Sequence, residues 1–542
     1  MQKLFGILIR KCLIGVSLSL LLSAGTIAAE SKKEVRTAMK KATRYMVEEV
    51  SHQGGYLWHY LPDFSRQWGE MEAYDTMIWV QGGTVRMGHL FLDLYEGTGD
   101  EYYYQAAQDV AEALIWGQHE EGGWNYMIDF AGDRSLKRWY NTIGKNGWMT
   151  KEFHYYYGNA TYDDNVTTGA ASFLLRIYLT KNDPTYLPSL RQAIDFILES
   201  QYAVGGWPQR YPIRHDYRND GRPDYTSYIT FNDDVTWENV KFLIQCYGAL
   251  GYERLLHPIR RGMTVYLVTQ HGPPQSGWGQ QYTLDLEPAG ARVYEPKSLQ
   301  PSYTADHIRI LLKCYRLTGQ SRFLARIPDA LEWLERTKLP PQLRDGEHTH
   351  PYFVELGTNK PLFNHRIGTN VINGKYYHDH QDTSLITHYP QKADIDLIQL
   401  RKEFERVKNM SIEEATADSP LLPGKHTKSE DPQAYYATED FLEYAEAGET
   451  ASAPSPEEVR EVINALDDQG RWLVRHVRKT NPYIGQPEPN PEKLKTKKYA
   501  QGTVGNRYDT APFTDTTDQE YISTGEYIEN MEMLLQFLSN QE

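Results

Sequence analysis

The stretch from Gly205 to Asn239, GGWPQRYPIRHDYRNDGRPDYTSYITFNDDVTWEN, carries a structural joint at one end and the densest polar cluster of the chain at the other. A helix expected over Leu190 to Gln201 stops at Gly205-Gly206, where residues without a Cβ can take the left-handed conformation that closes a helix. Asn232, Asp233 and Asp234 then stand directly before a new apolar-periodic run, with Asp234 or Thr236 placed to cap it. Two carboxylates and an amide at a helix mouth are either capping groups or hard oxygen ligands for a divalent cation.

Working outward, the run that follows the acids recurs four times without gaps: Gly83 to Tyr95, Val166 to Tyr178, Val235 to Tyr247 and Tyr303 to Tyr315. Each has threonine second (Thr84, Thr167, Thr236, Thr304), apolar residues at helical spacing and tyrosine last. Between these A helices lie B helices that end in a glycine-aromatic joint: Glu34 to Val50, Tyr102 to Gly117, Leu190 to Gln201 and Arg254 to Thr269. A fifth B helix is expected over Phe323 to Thr337, a sixth over Pro456 to Leu466, and a last A-like helix over Ile522 to Leu538. Helix pairs that cannot bury their faces alone stack on their neighbours. The expected fold is therefore all-α: an α/α toroid, an incomplete α/α barrel of paired helices with long loops and an irregular C-terminal extension. Function is expected on the loops between B and A helices, which gather at one mouth.

Aligning the A helices sets Asp163, Asp164 and Asn165 against Asn232, Asp233 and Asp234, whereas the equivalent positions Gln81-Gly82 and Gln300 to Ser302 carry no charge. Capping alone would put acids at all four helices. Two acidic mouths on successive helices point instead to a metal or catalytic site, and oxygen donors without His or Cys favour Ca²⁺ over zinc.

Composition bounds the rest. Lys3, Arg10 and Lys11, the apolar run Leu13 to Leu22 and the small residues ending at Ala28-Ala29 form an export-signal pattern. Residues 1–29 are thus expected to be removed, leaving a periplasmic or extracellular protein without stable membrane insertion. Residues 30–366 are expected to form the toroid, 367–454 an irregular loop-rich region, and 455–542 the C-terminal helices that complete or cap it. The net charge of −15 argues against a nucleic-acid partner. Cys246 and Cys314 read as buried, unpaired thiols. The histidines at 348, 350, 365, 378 and 380 lack metal-ligand spacing, and 40 tyrosines with 12 tryptophans supply aromatic faces on which sugar rings stack.

GGWPQRYP (Gly205 to Pro212) followed by YITFNDDVT (Tyr228 to Thr236) resembles polysaccharide lyase family ten, the pectate lyases built on an α/α toroid. GGWNYMID (Gly122 to Asp129) with ATYDDNVTT (Ala160 to Thr168) is similar to that family's earlier pair, and ARVYEP (Ala291 to Pro296) and ELGTNKPLFNHR (Glu355 to Arg366) to its arginine-bearing segments. The resemblance covers Gly122 to Arg366. It implies calcium held by Asp163, with Asp164 the near alternative, and by Asp233, with Asp234 adjacent. It further implies Arg292 as catalytic base and Arg366 on a substrate carboxylate. Tyr126 departs from a common lysine, and Tyr352, in HPYFVEL, from a common arginine. Tyr352, Trp124 and Trp207 are expected to touch the sugar.

The activity so implied is calcium-dependent β-elimination of α-1,4-polygalacturonate by a monomer. The alternatives are an α/α-toroid glycoside hydrolase using Asp163 and Asp233 as its acid and base, a lyase for another uronan, and a non-catalytic uronan-binding protein. The Gln-x-x-x-Gly-Gly-Trp joints (Gln118 to Trp124, Gln201 to Trp207) also resemble the ring repeats of terpene cyclases, against which the export signal weighs.

Overall fold

The computed structural model describes residues 32–144, 153, 155–214, 224–344, 346–367, 375–383, 385–386, 389–422, 435, 438, 442, 453–475, 477–479, 514–516 and 519–540. The expected signal segment and most of the polar stretch 480–517 lie outside them. The helices in chain order are α1 (residues 32–45, continued by the π-helical turn Met46–Val50), α2 (Val85–Thr98), α3 (Glu101–Gly117), α4 (Asp133–Thr142), α5 (Val166–Lys181) and α6 (Leu187–Ser200). They continue with α7 (Val235–Leu250), α8 (Leu256–Val268), α9 (Pro301–Thr318), α10 (Ile327–Arg336), α11 (Leu397–Lys408), α12 (Ile412–Ala415), α13 (Pro456–Ala465) and α14 (Thr524–Ser539).

The helices pack in pairs, α2 on α3, α5 on α6, α7 on α8, α9 on α10 and α13 on α14, while α14, α2, α5 and α7 pack side by side as an inner row. This is the α/α toroid that the repeat predicts. A five-stranded antiparallel sheet joins its ends, with Leu473–Val474 and Tyr521–Ser523 from the C-terminal part beside His59–Tyr60, Gln67–Trp68 and Glu72–Ala73 from the N-terminal part.

The joint between B and A helices has a physical explanation. The indole N–H of Trp124 donates to Leu114 O, that of Trp207 to Ile197 O, and that of Trp472 to Val462 O, each folding the chain back onto the B helix it has just left. Gln118 and Gln201 then bridge that joint to the next B helix, donating to Gly122 O and Ser189 O and to Gly205 O and Pro258 O. Gly205 has a φ of +115°, and a Cβ there would sit 2.1 Å from Arg261 O, so the joint requires glycine on both counts.

Each joint leads into a short strand that pairs with the strand before the preceding A helix. Met127–Asp129 pairs with Met77–Trp79, Arg210–Tyr211 with Ala160–Thr161, and Gln281–Tyr282 with Ile229–Thr230. These ladders lock successive mouths together. Among the described residues after Arg366, α11 buries Leu397, Leu400, Phe404 and Val407. Tyr435, Thr438 and Leu442 are buried too, the first bonded to Ser172 of α5 and the last accepting from Lys313 of α9. Cys246 and Cys314 are buried and unpaired.

Candidate active site

The acid-bearing turns Asp163–Asn165 and Asn232–Asp234 follow the strands Ala160–Thr161 and Ile229–Thr230 by one residue and open directly into α5 and α7. Neither helix receives a side-chain cap: Asn165 and Asp234 occupy the cap positions with φ of 56° and 53° and make no capping hydrogen bond. The capping role expected for Asp234 is thereby corrected. Asp164 and Asp233 are left-handed as well, so two consecutive non-glycine residues at each mouth hold a conformation that costs about 1–3 kcal/mol apiece. The Thr167 and Thr236 hydroxyls brace these turns by donating to Thr161 O and Thr230 O.

The two turns pack against each other, and Arg292 lies between their acids. Its Nη2 is 3.1 Å from Asp233 Oδ2 and 3.7 Å from Asp163 Oδ1, and its Nε is 3.3 Å from Glu295 Oε2. The loop carrying Arg292 closes on itself, with the Arg292 N–H donating to Glu295 Oε2 and the Glu295 N–H to Arg292 O. Tyr389 OH donates to Glu295 Oε1, and Gln280 Nε2 donates both to Tyr389 OH and to Asn232 Oδ1. Tyr303 OH also donates to Asn232 Oδ1, and the Asn232 amide donates to Asp233.

On the other side Tyr126 OH donates to Asp163 Oδ2. Beneath it Arg210, 1 % exposed, stacks its guanidinium over the rings of Tyr126 and Tyr157 at 5.0 and 4.7 Å.

Charge is divided unequally between the two acids. Burial pushes Asp163 up, but Arg292, hydrogen bonds from Asp233 and Tyr126, and the charge of Arg210 together hold it below the usual carboxylate range. Asp233 is driven well above that range, by desolvation first and by the Asp163 charge next, against the pull of Arg292. The opposed shifts mean that the two carboxyl groups resist ionising together beside a single guanidinium. Asp163 Oδ1 is buried and accepts no hydrogen bond, and every donor that the two turns offer is a hard oxygen. Among the described residues no three His, Cys, Asp or Glu side chains converge as a cage. Asp163 and Asp233 would thus hold a cation such as Ca²⁺ from one side and leave its remaining positions to water and ligand oxygens.

Asp163, Asp233 and Arg292 are therefore brought together. Asp164 and Asp234 are exposed beside them. Tyr352 is half-buried against Phe353 and Tyr389, and its phenol is pushed up by burial and then by the nearby charges of Asp233 and Glu295. Arg366 is fully buried in the strand Pro361–Ile367, opposite Tyr376. Trp124 and Trp207 need correction as sugar contacts: both are 0 % exposed, with their indole N–H groups spent on helix carbonyls. His350 faces Leu334 O and His365 faces Asp379. Sequence reasoning named Asn232 as the amide of the cluster but missed Gln280, Tyr303 and Tyr389 as parts of the site. Glu295 stands three residues from Arg292, and that spacing was the available signal for it.

Residues 129–387 match the pectic acid lyase family. No curated protein matches the chain. Among solved structures, the family 10 polysaccharide lyase from Cellvibrio cellulosa is 18% identical with a TM-score of 0.41, covering 59% of this chain and 96% of its own. A mutant of that enzyme in complex with trigalaturonic acid is 17% identical with a TM-score of 0.40, covering 60% and 98%. A sugar epimerase from a ruminal bacterium is 9% identical with a TM-score of 0.41, covering 94% and 99%.

Proposed function

We propose that the chain, whose residues 129–387 match the pectic acid lyase family, is an exported, calcium-dependent pectate lyase that cleaves α-1,4-polygalacturonate by β-elimination. The observation that supports this most is the pair of acids from successive helix mouths sharing one guanidinium, Arg292 within 3.1 and 3.7 Å of Asp233 and Asp163.

Elimination removes the proton on C5 of the uronate, and the electrons of that C–H bond form a C4–C5 double bond as the C4–oxygen bond breaks toward the leaving sugar. The C5 proton is barely acidic while the adjacent carboxylate keeps its full charge. Calcium bound between protein and substrate carboxylates would stabilise the enolate-like charge that develops. Asp163 and Asp233 would hold it. Arg292 is the proposed base on C5. A guanidinium with a pKa above about 12 gives up its proton reluctantly, and three carboxylates about it favour the charged form. The role needs those carboxylates to be engaged by another cation, and alkaline conditions assist it. Glu295 fixes the Arg292 backbone and Nε, so that Nη2 is the edge turned to the acid pair.

The hydrolase reading fares worse on the same geometry. Paired glycosidase carboxyl groups stand roughly 5 Å or more apart to admit a sugar and a water, whereas one nitrogen, Arg292 Nη2, lies between Asp163 and Asp233 at 3.7 and 3.1 Å. The test is incubation with polygalacturonate and Ca²⁺ at alkaline pH, following ultraviolet absorbance of the unsaturated product. A chelator-sensitive rise is expected. New reducing ends without absorbance would mean hydrolysis, and binding without either would mean a non-catalytic uronan-binding protein.

A further inference from the structure

On the outer wall of the ring, away from the acid pair, α1 carries Lys32, Arg36, Lys40 and Arg44 at successive four-residue steps, with Lys33 and Lys41 in the adjoining row. Side chains spaced in this way share one helix face. They line a cleft of about 1160 Å³ whose other walls come from Pro62, Phe64, Asp100 and Gln469. In a chain with a net charge of −15, six cations in one cleft face only three acids, Glu48, Glu49 and Asp100. Lys40 pairs with Asp100 at 2.5 Å and Arg44 with Glu48 at 3.6 Å. Arg36 and Lys41 donate instead to the backbone carbonyls of Thr98 and Asp467, and Arg36 also feels the charge of Asp100. Lys33 is exposed.

The loop on the opposite wall adds an independent observation. Phe64 is 36% exposed and takes a φ of 55°, a strained conformation for an aromatic residue. It is held there by its own N–H donating to Leu61 O, by Leu61 N–H donating to Arg66 O, and by Asp63 Oδ1 accepting from the Ser65 N–H and hydroxyl. An aromatic face kept over a cationic floor suits a chain of sugar rings bearing carboxylates, because the ring takes the apolar sugar face and the cations the charge.

We propose that this cleft is a second binding site for an acidic polysaccharide, separate from the Arg292 mouth, that retains the polymer on the outer wall while another stretch is cleaved. The choice of a uronan rests on the lyase reading, whereas the presence of a polyanion site does not.

The test is electrophoresis of the full chain through gels containing polygalacturonate, with turnover of a short oligogalacturonate measured alongside. The double variant Lys33→Glu/Arg36→Glu is expected to weaken polymer retardation at least about ten-fold at low salt, with short-oligomer turnover and thermal midpoint unchanged. Phe64→Ala, which alters no charge, should weaken retardation at low and high salt alike. Retardation that persists in both variants overturns the proposal, as does wild-type binding to phosphatidylglycerol vesicles without retardation by the polymer. Retardation without any unsaturated product would defeat the lyase reading and leave the second site standing.

Discussion

Arg292 Nη2 donates to Asp233 Oδ2 across 3.1 Å, so a residue of the loop after α8 serves as counter-ion to a carboxylate at the mouth of α7. Removing that cation leaves Asp163 and Asp233 facing each other. Arg292→Ala is therefore expected to melt lower than wild type in chelator and to gain more from added Ca²⁺, its own gain reaching about 2.7 kcal/mol at a hundred-fold excess over its Kd. Asp163→Ala and Asp233→Ala should show little calcium response. Calorimetric scans with and without Ca²⁺ read this directly, and an equal response in all four proteins would refute two-carboxylate binding.

Glu295 touches Arg292 through both its backbone N–H and its Nε while Tyr389 fixes the other carboxylate oxygen. Glu295→Gln keeps the shape but weakens that hold, and an imprecisely placed base costs mainly the chemical step. A fall in kcat of about ten- to a hundred-fold with KM within about two-fold is expected from steady-state kinetics. A rise in KM alone would make Glu295 a substrate contact.

Tyr352 presents a neutral phenol near Asp233 and Glu295. Tyr352→Arg would offer a cation to one more uronate, lowering KM for fully de-esterified polygalacturonate by about three- to ten-fold while leaving highly esterified pectin unaffected. Equal changes on both polymers would argue that residue 352 does not meet the charged group.

His89 and His307 are buried, and desolvation lowers each to about 3, with Arg176 adding to the effect at His89. His307 packs against the rings of Phe231, Tyr266 and Trp278. The unfolded chain takes up these protons from near pH 6.5 downward and the folded chain does not, so stability is full above that pH and falls as pH drops toward 3. The loss is about 1.4 kcal/mol per pH unit for each histidine. Denaturant titrations between pH 7 and 5 should show a slope reduced by one proton in His307→Gln. An unchanged slope would mean that His307 is protonated in the folded protein.

Much of the ring was legible because its helices repeat, and a repeat shows in spacing before any packing is known. α11 was missed because LIQLRKEFERVK (Leu397 to Lys408) is a lone amphipathic helix outside the repeat. Its burial is settled by α9 and α10, on which it packs. The acid clusters were legible as aligned mouths. Their geometry was not, since it depends on left-handed residues at 164, 165, 233 and 234 that an Asp- or Asn-rich stretch only permits. The aromatic count misled at Trp124 and Trp207, where the glycine-rich joint turns the indole inward to a helix carbonyl. Gln280, Tyr303 and Tyr389 are ordinary residues in sequence and become a network with Asn232 only once the strand Gln281–Tyr282 pairs with Ile229–Thr230.

The central claim is that Asp163 and Asp233 act together with Arg292 on a uronate. Single-turnover formation of unsaturated product from oligogalacturonate, at alkaline pH with saturating Ca²⁺, tests it most directly in Asp163→Asn, Asp233→Asn and Arg292→Lys. Each is expected to lose at least about a hundred-fold in the chemical step, with the double Asp163→Asn/Asp233→Asn variant little worse than either single. Wild-type rates in Arg292→Lys, or additive losses in the double variant, would contradict it.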